Sequence, residues 1–203
     1  MSASFTSYTP ADDSLSGFAN AITGAGPFTM TTKNSGDSLS HLASIQSAAN
    51  LAAITFTLTG TDPDGNAQTE AIVGPNIATV YGLKYWKTLN TVSVSSTLGA
   101  NTANIGWKDD CVGATFPLDW RQDSFAVSLG IDVSGTINYT IEHTFRRMSD
   151  GFPSTFLWLP HSSLVTKTVD SDGNYAFPVT ATRLHVNSLT AGATIGFHVV
   201  QAR

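Results

Sequence analysis

Charge is scarce in this sequence. Lysine and arginine number 10 and aspartate and glutamate 15, so charged residues make up 12% of the 203, about half the usual share in soluble domains. The net charge is −5 and no Lys/Arg cluster stands out. A nucleic-acid partner, which needs a basic face to displace counterions, is therefore not expected. Cysteine is nearly absent too. A lone Cys111 excludes an internal disulfide. With no CxxC or Cys/His cluster, no zinc site is expected, and Cys111 beside "KDD" reads as an ordinary partly buried residue. No run approaches the roughly eighteen apolar residues of a membrane-spanning helix. The opening "MSASFTSYTPADDS" has neither the basic stretch nor the apolar run of a secretory signal. A soluble protein made in the cytoplasm, with no membrane partner, is the expectation.

What the chain does have is alternation. In "FAVSLGIDV", Phe125, Val127, Leu129, Ile131 and Val133 fall at every second position, the period of a half-buried strand. "TINYTIEHTF" continues it with Ile137, Tyr139, Ile141 and Phe145, and the "SG" at 134–135 predicts that the two strands pair as a hairpin. "RLHVNSL" and "TIGFHVVQ" around "TAGA" at 190–193 predict a second hairpin, with Leu184, Val186, Ile195, Phe197 and Val199 inward. Earlier candidate strands lie at 26–32, 40–46, 52–60, 66–74, 90–96 and 103–108, with an aromatic-rich strand at 78–89. The fold class expected is all-β: two antiparallel β-sandwich modules, jelly-roll or immunoglobulin-like, over residues 25–112 and 113–203. They meet at "KDDCVGATFPLDWRQD", residues 108–123. Residues 1–24 are expected to form an extended N-terminal arm with too few apolar groups to fold alone. In that arm Phe5, Tyr8, Leu15, Phe18 and Ile22 are the candidate assembly contacts.

Two acidic loops raise the question of calcium. "TGTDPDGNAQTE" (59–70) and "TVDSDGNYAFP" (168–178) would need a bidentate Glu at the twelfth loop position, where Val73 and Ala181 stand instead. Their Asp-Gly pairs predict hairpin turns. The histidines at 41, 143, 161, 185 and 198 belong to no G-x-S-x-G or H-E-x-x-H motif. By phase, His143 sits at the edge of a core face, while His185 and His198 point to solvent or an interface. A His185/His198 pair across a hairpin lacks a third ligand, so no metal is assigned. Asp62, Asp64, Glu70, Asp109, Asp110, Asp119, Asp123 and Glu142 could supply paired carboxylates for glycoside cleavage, but spacing brings no two of them together. No catalytic residue and no cofactor is assigned. Trp86, Trp107, Trp120 and Trp158 are candidate exposed platforms for sugar rings, or else core or interface residues.

The stretch "LTGTDPDGNAQTEAIVGPN" followed by "VYGLKYWKTLNTVSVSS" resembles a segment of structural proteins from tailed-bacteriophage virions. Its pattern is a Gly-x-Asp-x-x-Gly hairpin, a Thr-Glu strand, a Gly-Pro turn and a Tyr-Lys strand. "VSGTINYTIEHTF", "FLWLPHSSL" and "FPVTATRLHV", with the closing "VVQ", are similar to an accompanying phage module. The resemblance implies a non-enzymatic virion protein. The expected role is capsid decoration or cement, with self-assembly into a homo-oligomer and contact with the major capsid protein. A neck, tail or fibre-associated component in contact with neck or tail proteins, and a carbohydrate-binding module on the virion surface, are the alternatives.

Overall fold

The computed structural model describes residues 2–122, 125–146 and 157–202; Asp123 lies outside them. Among the described residues every regular element is a β-strand, and the sheets are antiparallel, in keeping with the β-sandwich class. The chain divides into two compact units, one of Asp12–Cys111 and one of Met1–Ala11 with Val112–Arg203. The first strand, β1 (Ser2–Tyr8), belongs to the second of these.

The Asp12–Cys111 unit holds β2 (Ser14–Ile22), β3 (Phe28–Thr29), β4 (Ser40–Asn50), β5 (Thr55–Thr61), β6 (Ala67–Val73), β7 (Asn76–Trp86), β8 (Thr88–Val94) and β9 (Ala103–Val112), whose last residue begins the next unit. One sheet runs β2–β9–β4–β7 and the other β3–β8–β5–β6. Alternation places Ala43 and Ile45 of β4, Phe56 and Leu58 of β5 and Ile105 of β9 in the core, and the register shift against β5 brings both Leu89 and Val92 of β8 to the same face. The aromatic stretch expected as one strand over 78–89 is two, β7 and β8, which lie in different sheets. Strand β9 runs through "KDDC", so the junction expected to start at 108 begins inside a strand. The first Asp-Gly pair does make a hairpin turn. Gly65 has φ of 87°, and the Asp62 carboxylate accepts the amides of Asp64 and Asn66 at 3.0 and 2.8 Å.

The other unit holds β1 together with β10 (Phe116–Pro117), β11 (Val127–Ser134), β12 (Ile137–Thr144), β13 (Leu159–Pro160), β14 (Ser171–Tyr175), β15 (Ala181–Leu189) and β16 (Thr194–Gln201). One sheet runs β1–β16–β11–β14; the other contains β13–β12–β15, with β10 also on β15. Both expected hairpins are corrected by this topology. Strand β11 pairs with β14 and β16, and β12 with β13 and β15, so the turns at 134–135 and 190–193 each carry the chain from one sheet to the other. The strands on either side of each turn therefore face each other through side chains, with Val127, Leu129 and Ile131 on one layer and Ile137, Tyr139 and Ile141 on the other, all buried. The second Asp-Gly pair is no turn either. Asp172 and Gly173 lie within β14 opposite Gly130 and Leu129, and Leu164 packs over Gly173 so closely that a Cβ there would stand 2.8 Å from its Cδ1.

Residues 2–24 are ordered against other strands of the chain. Strand β1 pairs along its whole length with β16, from Ser2 opposite Gln201 to Tyr8 opposite Ile195. Strand β2 lies on β9, and Phe18 is 1% exposed, edge-on to Trp107 at 5.1 Å between ring centroids. Small Ser and Ala side chains blur the alternation of these strands, because their large neighbours come from β16 and β9.

Candidate functional site

Residues of the stretch from Leu58 to Ser96 meet at the β6–β7 connection. Glu70, on β6, reaches the outer edge of β7, where its carboxylate accepts the Leu83 amide at 2.6 Å and the Trp86 indole N–H at 3.4 Å. Gln68 donates to the Tyr85 carbonyl at 2.6 Å, and Lys84 returns a bond to the Thr69 carbonyl at 2.8 Å. Strand β7 ends its sheet, and an eleven-residue edge would otherwise offer its amides and carbonyls to any passing strand. Side chains of β6 close part of it instead. Gly82 makes room for this arrangement, since a Cβ there would lie 2.6 Å from Glu70 Oε2.

A double-mutant cycle tests the closure. Gly82→Ala is expected to destabilise the protein by about 1–3 kcal/mol through overpacking. Most of that loss should vanish in a Glu70→Ala background, because the clashing carboxylate is gone. Additive losses in urea denaturation would show that Glu70 does not occupy this position.

Three clusters of titratable groups stand apart from this edge. On β12 and β15, Glu142 accepts from Arg183 Nε at 2.7 Å and contacts His185 Nδ1 at 3.1 Å, while the Arg183 guanidinium stacks on Trp158 at 4.2 Å from the ring centroid. Burial pulls the Glu142 carboxyl upward, but the hydrogen bond from His185 and the Arg183 charge outweigh it and hold the group below the usual carboxylate range. This pairing therefore stabilises the fold fully above that range and is lost as pH falls through the lowered value. His143 is buried against Tyr175 and Phe145, each with ring centroids 5.2 Å away. Burial and the nearby His161 lower its pKa against the opposing pull of Glu142, and burial pushes the Tyr175 phenol up to about 12. His198 contacts Asp132 at 2.6 Å on the sheet surface. His185 and His198 lie on strands of different sheets, so the pair envisaged across one hairpin does not form. Among the described residues no group of three or more His, Cys, Asp or Glu is placed to hold a metal.

Two further candidate carboxylates, Asp110 and Asp119, have structural partners. Asp110 accepts from the Tyr85 hydroxyl at 2.8 Å and pairs with Lys108 at 3.6 Å, Asp119 takes the amide of Arg121 and the side-chain amide of Gln122, and Asp109 lies beside Asp110 on β9. Cys111 is buried rather than partly exposed, and burial with Asp37, Asp110 and Asp109 nearby raises its thiol well above the ordinary value.

The four tryptophans part company. Trp86 and Trp107 are core residues, Trp107 donating its indole N–H to the Asp12 carbonyl at 3.0 Å, so neither is an exposed platform. Both stand on strand positions whose phase points between the sheets. Trp120 and Trp158 are half-buried, with guanidinium groups of Arg121 and Arg183 over their rings. Of the five candidate assembly contacts, Phe18 is in the core, Tyr8, Leu15 and Ile22 are half-buried, and Phe5 is 59% exposed, stacked on His198 at 4.3 Å. Sequence reasoning missed the roles of Gln68 and Lys84; the signal available was the spacing of Gln68 and Glu70 on one face of β6. Comparison with protein-family models and with curated proteins returns no match.

Proposed function

We propose that this chain is a non-enzymatic structural protein of a tailed-phage virion, acting as a decoration or cement protein on the capsid exterior. The observation that carries the reading is the β6–β7 closure. Of the residues in the virion-like pattern, Asp62 builds a turn and Glu70 seals a strand edge over the tightly approached Gly82. The resemblance is thus one of architecture, which is what a structural protein passes on. The fold's sparse charge and hydroxyl-rich strand surfaces suit contact with neighbouring subunits. A standard interface takes about 800 Å² from each partner, so a chain of this size can bridge two capsid subunits and stabilise the shell. The sugar-platform alternative loses Trp86 and Trp107 to the core.

Copy number in purified particles tests the assignment. Decoration requires hundreds of copies per virion, and particles lacking the protein should assemble but rupture at a lower temperature. A small closed ring of copies, rather than hundreds, with stable but tailless heads would replace decoration by the neck or tail role.

A further inference from the structure

The sheet edges of this protein are treated unequally. Strand β7 is closed over Leu83–Trp86 by Glu70 and Gln68 and is broken by register shifts along its pairing with β4, β6 carries Glu70 itself, β14 is five residues long with Asp172 in it, and β3 and β13 have two residues each. Strand β2 is interrupted by register shifts. Strand β1 has none of these protections. It ends its four-stranded sheet, pairs without a break over seven residues, and reads Ser-Ala-Ser-Phe-Thr-Ser-Tyr, with no charge, no proline and no bulge. Its Ala3, Phe5, Thr6 and Ser7 are exposed.

We infer that β1 is a self-pairing edge: two copies of this chain join antiparallel along β1, about a two-fold axis through Phe5, making one continuous sheet across both. A two-fold contact brings the same surface of both copies together, so the strand must be complementary to itself. About Phe5 it is. Ala3 then faces Ser7 and Ser4 faces Thr6 of the other copy, so small or hydroxylated side chains oppose one another and no like charges meet. The two Phe5 rings stand directly opposite. Each already has His198 stacked on one side at 4.3 Å, and the other copy supplies a second aromatic neighbour, which accounts for so large a side chain being 59% exposed on a strand of small residues. The acidic pair Asp12–Asp13 lies beyond the seven paired residues and so adds no repulsion within the ladder. A partner of other sequence would meet the same open backbone, but only a second copy guarantees an equally uncharged strand.

The inference does not depend on the virion reading, because it concerns the isolated chain. Sedimentation equilibrium of the full protein from micromolar to millimolar concentration should show a monomer–dimer equilibrium. Ala3→Lys/Ser7→Lys places lysine opposite lysine at two points of the ladder and should weaken the dimer about tenfold or more. Ala3→Lys/Ser7→Glu, with the same number of exposed substitutions, places lysine opposite glutamate and should dimerise at least as well as the original chain. Matching melting temperatures of the two variants control for folding. A chain monomeric at every concentration, or two variants that associate equally, overturns the proposal and leaves the copy-number test of the virion role untouched.

Discussion

Replacing Asp37 with alanine is expected to destabilise the protein by about 3–5 kcal/mol, the usual cost of removing one partner from a buried ionisable pair. Asp37 and His41 are 4% and 1% exposed, and Asp37 Oδ2 lies 2.7 Å from His41 Nε2. The other ring nitrogen, Nδ1, is 2.7 Å from the Lys108 carbonyl. A carbonyl can only accept, so Nδ1 carries a hydrogen, and the link between Nε2 and the carboxylate is made by a second proton shared between them. The second carboxylate oxygen accepts the Ser35 hydroxyl and the Leu39 amide. One largely buried side chain thus satisfies three donors, and alanine removes the protein partner of all three. Asp37→Asn keeps an acceptor for Ser35 and Leu39 and should lose less. Urea denaturation of the two variants checks both expectations. A loss below about 1 kcal/mol for the alanine variant, the range of an exposed pair, would show that the pair is solvated.

Phe18→Ala carries the second large effect, a loss of about 3–5 kcal/mol, as for other buried phenylalanines. If residues 1–24 were an arm awaiting a neighbour, this substitution would leave the isolated protein unchanged and only impair assembly. The ring is 1% exposed and edge-on to Trp107, which is also anchored through its indole N–H to the Asp12 carbonyl. Removing it opens a cavity beneath β2 and loosens the strand that covers β9. Phe5→Ala provides the contrast. That ring lies on the surface of the single chain against His198, and at concentrations where the chain is monomeric its loss should change stability by no more than about 0.5 kcal/mol, as at other exposed sites. Thermal melts of both variants at one protein concentration separate the two environments. Equal, small shifts would return Phe18 to the surface.

Local sequence determined the strands wherever large apolar residues alternate with polar ones. Strands β5, β11, β12 and β16 were legible from Phe56 and Leu58, from Val127 to Ile131, from Ile137 to Ile141 and from Ile195 to Val199, because period two is a property of the extended chain itself. The turn at Asp64–Gly65 was legible for the same reason, its hydrogen bonds reaching no further than Asn66. Strands β1 and β2 were hidden, since Ser and Ala leave the alternation to be completed by side chains far along the sequence. Pairing was a local property only at the β5–β6 hairpin. The short turns at 134–135 and 190–193 reverse the chain, but whether the next strand hydrogen-bonds beside the last or packs over it depends on which strand occupies the neighbouring edge, and β16 and β15 take those edges. The same holds for the site. Glu70 is one carboxylate among many in the sequence; only the passage of β7 beside β6 brings the Leu83 amide within 2.6 Å of it. The sequence by itself determined the β class and the phase of its clearest strands. Tertiary structure decided which strands are partners, which tryptophans are buried and which edges stay open, because those depend on contacts between residues that composition and spacing leave unrelated.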